Sequence, residues 1–146
     1  MDLSGLKWPV IILVIIGIGW LASSGGVNYM HQNFTKATVG TDTAKDATDE
    51  AGLTRLANYL LYLWRYDKAE SVLLDVLQRY GPDGKNFYLN TYRLALVYEK
   101  QDRHQEAYDV LQELIDVEAG EIDDRVPNRD NLALRAEKLK EMYELQ

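Results

Sequence analysis

The chain changes character at one boundary. Between Lys7 and Lys36 there is no charged residue, although 27% of the whole sequence is charged. Within that stretch Trp8-Pro9-Val10-Ile11-Ile12-Leu13-Val14-Ile15-Ile16-Gly17-Ile18-Gly19-Trp20-Leu21-Ala22 is apolar throughout. Past Lys36, Thr35-Lys36-Ala37-Thr38-Val39-Gly40-Thr41-Asp42-Thr43-Ala44-Lys45 has no apolar period and reads as a linker. From about Asp46 apolar residues recur at helical spacing. The pattern predicts an all-α protein: one apolar helix, a linker, and a domain of amphipathic helices.

In that domain Leu53, Leu56, Ala57, Leu60, Leu63 and Trp64 are spaced to share one helix face. Asp67 and Glu70 have capping-box spacing and restart a helix that carries Ala69, Val72, Leu73, Val76 and Leu77. Gly81-Pro82-Asp83-Gly84 has the turn chemistry that ends it. A third helix runs from about Asn86 with Tyr88, Leu89, Tyr92, Leu94, Ala95 and Tyr98. Asp102 and Gln105 restart a fourth, with Ala107, Val110, Leu111, Leu114 and Ile115. After an acidic loop from Glu118 to Arg129, a last helix capped near Asn128 or Asp130 carries Leu132, Leu134, Ala136, Leu139 and Met142.

The apolar segment reads as a membrane anchor. Its strictly apolar part is 15 residues, roughly 22 Å of helix, against about 30 Å of bilayer hydrocarbon. Adding Leu6 and Ser23 to Val27 brings it to about 33 Å. Trp8 and Trp20 stand where interfacial aromatics are favoured. Ile12 and Ile15 fill the span, and Gly17 and Gly19 would let a second membrane helix approach closely. The expected organisation is an anchor over 1–27, a juxtamembrane segment and linker over 28–45, and a helical domain over 46–146. A secretory signal, cut after Ala22-x-Ser24, is the alternative. The weakly basic start, Lys7 and the terminal amine against Asp2, favours the anchor. The same bias, with no further basic residue before Lys36, directs the N-terminus to the cytoplasm. The expected location is a bacterial inner membrane, single-pass, with the C-terminal domain in the periplasm. The absence of cysteine suits that compartment and excludes thiol catalysis, disulfides and cysteine-held cofactors.

The helices also repeat. Leu56-Ala57 and then Ala69, thirteen positions after Leu56, recur as Leu94-Ala95 and Ala107 at the same spacing. Ala57, Ala69, Ala95 and Ala107 are the small residues of this pattern. Here the chain resembles the tetratricopeptide repeat family, which has Leu-Gly/Ala on the first helix of each pair and a small residue thirteen positions later. Tyr98 matches the family's first-helix aromatic, and Leu60 replaces it in the first pair. The period is 38 rather than the family's 34, with the extra residues around Gly81 to Tyr88. The resemblance covers about residues 50–117 and implies two repeats followed by a capping helix. It further implies a groove lined by first-helix residues: Thr54, Asn58, Leu61 and Tyr62, then Tyr92, Leu96, Glu99 and Lys100.

Little else points to chemistry. His31 and His104 are the only histidines; His31 has no acidic neighbour in sequence, and metal ligation by either would need partners from elsewhere. The acidic run Glu118, Glu121, Asp123 and Asp124 lacks the spacing of a calcium loop. No phosphate loop or nucleophile motif is present. The net charge of −7 disfavours nucleic acid and anionic headgroups as partners. The expectation is a protein that is not an enzyme and has no cofactor, metal or small-molecule substrate. It would be an accessory or assembly subunit of a membrane protein complex, held in the bilayer by its N-terminal helix. The alternative is a membrane-tethered chaperone or targeting receptor.

Overall fold

The structure is a computed structural model that describes residues 4–146, with side chains from Lys7 onward. Asp2 and the terminal amine, which enter the charge bias, and the side chain of Leu6 lie outside the described residues. Every regular element described is helical. The chain forms two compact units, the first ending at Lys36 and the second running from Ala37 to Gln146.

The first unit holds α1 (Ser4–Ala22) and α2 (Ser24–Thr35). The two are bent by 68° at Ser23. Ser23 makes the bend by bonding both ways. Its hydroxyl donates to the Trp20 carbonyl at 2.5 Å and accepts from the Gly26 amide at 3.2 Å, capping α2. Gly26 is required there, because a Cβ would lie 2.2 Å from the Trp20 carbonyl oxygen. Ser23 to Val27 therefore do not prolong α1 as a straight rod. Alone, the 19 residues of α1 measure about 28 Å. No single described helix is long and apolar enough to cross a membrane, whereas α1 and α2 pass that test together as a bent pair. Trp8, Ile12, Ile15 and Trp20 are all exposed, and nothing lies within 4 Å of where a Cβ would stand at Gly17 or Gly19.

The second unit begins with α3 (Thr43–Tyr62), three residues earlier than Asp46 because Asp42 caps it. The Asp42 carboxylate accepts from the Ala44 and Lys45 amides at 2.9 and 3.1 Å. Then follow α4 (Tyr66–Tyr80), a 3-10 turn (Gly81–Asp83), α5 (Phe87–Lys100), α6 (His104–Asp116), the single turn α7 (Ala119–Ile122) and α8 (Arg129–Tyr143). Helix α3 pairs with α4, α4 with α5, α5 with α6, and α6 with α8. Leu53, Leu60, Val72, Leu73, Val76, Val97, Leu111, Leu114 and Leu132 are fully buried between them. Ala57, Ala69, Ala95 and Ala107 are wholly buried too, as small residues at close helix crossings should be.

The two hairpins turn in the same way. Arg65 N–H donates to Leu60 C=O at 2.9 Å and Trp64 N–H to Leu61 C=O at 3.1 Å. Thirty-eight residues on, Arg103 N–H donates to Tyr98 C=O at 2.9 Å and Asp102 N–H to Glu99 C=O at 3.3 Å. These are Schellman pairs. Trp64 and Asp102 take the left-handed conformation, φ 54° and 59°, that such a cap demands. Trp64 is thus not on the buried face of α3; it is 78% exposed beyond the helix end. The capping boxes also do not form. Arg65 and Arg103 occupy the N-cap positions without side-chain caps, and Asp67 and Glu70 bond instead to Gln101.

A left-handed residue with a Cβ carries a strain of about 1–2 kcal/mol, and glycine returns roughly 0.5–1 kcal/mol of that as extra chain entropy. Trp64→Gly should therefore stabilise the domain by about 0.5–1 kcal/mol. The denaturation midpoint would rise accordingly. A fall would mean that the indole makes contacts worth more than its strain.

The residues that lengthen the period are tied down by one acid. Glu50, only 5% exposed, accepts from the Asn86 amide at 2.6 Å and the Lys85 amide at 3.2 Å. It satisfies from α3 the donors that lead into α5, whose own N-cap Asn86 makes no side-chain cap bond. A Cβ at Gly84 would stand 2.9 Å from Glu50 Oε1, so the turn needs glycine to close on the carboxylate.

Helix α8 is capped at Asn128, which accepts from the Asn131 amide at 3.0 Å. It lies in the same register as the helices before it. Leu132-Ala133 follows Leu94-Ala95 by 38 residues, as Leu94-Ala95 follows Leu56-Ala57. Leu132, Ala136 and Leu139 are buried, while Arg129, Asp130, Glu137, Lys138, Lys140 and Glu141 are exposed.

Candidate partner-binding face

The residues that the sequence singled out lie on α3 and α5, and α8 follows them in the same register. Polar bonds between α3 and α5 underlie this row. Thr54 is buried, and its hydroxyl accepts from Asn90 Nδ2 at 2.9 Å while its carbonyl accepts from Arg93 Nη1 at 3.1 Å. Thr54 thus joins two helices from below and presents little surface. Asn90 is itself buried, and its Oδ1 has no protein partner. Between α5 and α8, Arg135 binds Glu99 with both arms of its guanidinium, at 2.6 and 2.9 Å. That geometry gives strong, directional pairs, and Glu99 in turn holds the Arg135 guanidinium above its ordinary pKa.

The remaining residues offer surface. Tyr62 is 76% exposed at the end of α3, and Lys100 is exposed at the end of α5. Asn58, Leu61, Tyr92 and Leu96 are half-buried. Asn58 and Leu96 stand one period apart, and the next equivalent position is Leu134, 66% exposed. Exposed and half-exposed tyrosines on neighbouring helices are typical interface anchors, and the leucines beside them add apolar surface.

Arg93 has an unusual environment. Burial pushes its pKa down, the charge of Arg125 adds to this, and only the Tyr62 phenol opposes it. The other arginines with described ion pairs all have carboxylates. Arg103 binds Glu70 and Glu106, Arg125 binds Asp123, Arg129 binds Glu118, and Arg135 binds Glu99.

The hairpin tips are held by a separate network. Arg103 reaches Glu70 at 2.6 Å and Glu106 at 2.6 Å through both Nε and Nη2, with its guanidinium 4.2 Å from the Tyr98 ring centre. These bonds raise the Arg103 pKa, Glu106 contributing most, and lower that of Glu106. His104 stacks on Tyr143 with ring centres 3.5 Å apart, joining α6 to the end of α8. An open cleft lined by Pro82, Lys85, Tyr88, Ile122 and Arg125 lies between the α4–α5 turn and α7. Its arginine is already committed to the Lys85 carbonyl, Asn86 and Asp123. Among the described residues no group of three or more His, Asp and Glu side chains is placed to share a metal ion.

The sequence pattern did not point to Glu50, Asn90, Arg93 or Arg135. A signal for the first two was present. Glu50 stands three residues before Leu53 and Asn90 four before Leu94, on the stripe that the helix buries. A polar residue on a buried stripe has to find a partner.

No known family model, curated protein or solved structure matches this chain.

Proposed function

We propose that this protein is a non-catalytic, membrane-anchored scaffold of the tetratricopeptide repeat type, an accessory or assembly subunit of a larger membrane protein complex. In this reading α1 holds the chain in a bilayer, and the second unit, outside the cytoplasm, binds partner subunits through the α3, α5 and α8 row. The observation that carries it is the pairing of two features in one chain. Helix α1 exposes apolar side chains all along its described length, and the tandem hairpins share one turn geometry at a 38-residue offset. A tether confines the search for a membrane partner and raises its effective concentration. Tyr62, Tyr92, Leu96 and Leu134 supply the apolar contact, and Thr54, Asn90 and Glu99 keep their helices in register.

The test is affinity purification of the full chain, tagged after Gln146, from native membranes in mild detergent. One stoichiometric set of membrane subunits is expected. The double substitution Tyr92→Ala, Leu96→Ala should weaken its recovery by tenfold or more if these are anchors worth about 2 kcal/mol together. A broad, substoichiometric set of clients would instead favour a tethered chaperone or receptor. A chain that elutes alone would count against both.

A further inference from the structure

On the α3, α5 and α8 row, Arg93 is a part-buried charge with no counter-charge among the described residues. Arg93 is half-buried and donates to the Thr54 carbonyl. No carboxylate lies within ion-pair distance of it among the described residues. Its charged neighbour is another cation, Arg125, and its aromatic neighbour is Tyr62. A partly desolvated guanidinium with only a neutral acceptor is costly unless something else pairs with it. Arg55 and Lys100 are exposed on α3 and α5, and Glu99, next to Lys100 in sequence, is paired with Arg135.

We infer that Arg93 is the recognition point for a carboxylate on the partner: an Asp or Glu side chain flanked by an apolar residue that seats against Tyr92 and Leu96. The inference rests on the reading that this row is the protein-binding face. A guanidinium held by its own Thr54 contact presents its remaining N–H groups in a fixed fork, which suits a planar carboxylate. The pair would form in a partly dry site, where a charge-assisted bond is stronger than on open surface. An acid elsewhere on the partner would meet a net negative protein, so Arg93 would select where the acid falls as well as whether it is present.

The test is a random dodecapeptide library displayed on phage and panned against the full chain in detergent micelles. Arg93→Gln and Arg93→Lys chains are panned in parallel. Peptides selected by the natural chain should be enriched in Asp or Glu next to an apolar residue. That enrichment should vanish with Arg93→Gln and be weakened but not lost with Arg93→Lys, which keeps the charge without the planar fork. The leading peptide should bind Arg93→Gln roughly 10- to 100-fold more weakly. An unchanged acidic preference in Arg93→Gln, or no acidic preference in the natural chain, would overturn the inference, as would a library that yields no binder. Tyr92→Ala, Leu96→Ala separates the two readings. Peptides without acids that depend on Tyr92 and Leu96 leave the binding face standing and remove the role of Arg93. Peptides indifferent to all these residues remove both.

Discussion

Glu50→Ala should lower the stability of the helical domain by about 2–4 kcal/mol, among the largest effects of any single change in this chain. The carboxylate is buried and accepts from two backbone amides that have no other described acceptor. Removing it leaves those donors desolvated, which costs more than the bonds themselves contribute. It also takes a negative charge from the start of α5, where the helix dipole favours one. In a domain of about 100 residues each kcal/mol moves the melting point by roughly 4–8 °C, so the loss should be plain in a thermal scan of the full chain. Glu50→Gln keeps one acceptor oxygen and should recover part of the stability. A loss under about 1 kcal/mol for the alanine variant would mean that water reaches the Lys85 and Asn86 amides. The extra residues of the period would then be held by something other than this acid.

The second large effect comes with its own internal control. Ala57, Ala95 and Ala133 occupy the same register position. Ala95 is wholly buried beneath α6, whereas Ala133 on α8 is part-exposed. Ala95→Leu would force α5 and α6 apart and should cost about 1–3 kcal/mol or more. Ala133→Leu should fall within about 0.5 kcal/mol of the natural chain. Chemical denaturation of both variants measures the difference. Equal costs would show that α8 is covered as α5 is, and that its likeness to the first helices ends at the sequence.

These expectations show what the sequence made legible. Burial of Leu53, Leu56, Ala57 and Leu60, and of Ala69, Val72, Leu73 and Val76, follows from helical spacing, and all eight are core residues. Asn128 as a cap was also readable, because a side chain that can accept from the backbone precedes an amphipathic run. Periodicity failed where it ran past the end of a helix. Trp64 keeps the spacing of the buried stripe, but the turn at Leu63 takes it into the left-handed region, and no glycine marks the change. The capping-box pattern failed because α4 begins two residues earlier, with Arg65 as its N-cap, so Asp67 and Glu70 lie inside the helix and bond to Gln101 and Arg103 instead. The site residues divide in the same way. Surface tyrosines and leucines follow from register alone. Thr54 with Asn90, Arg93 with Thr54, and Arg135 with Glu99 each join residues 36 to 39 positions apart, and only the packing of the hairpins brings them together.

The charged outer side of α8 has a consequence for how the molecule grows. Each hairpin presents to the next the same kind of surface it received, which is head-to-tail addition. Repeated without a stop, that rule builds an open filament. At α8 the chain keeps the inward half of the rule, Leu132, Ala136 and Leu139, while its exposed side mixes Arg129, Glu137, Lys138, Lys140 and Glu141 with the apolar Leu134 and Met142. A further copy arriving there would have to strip water from charges of both signs. The charges on α8 therefore set a desolvation cost on any surface that would stack against them.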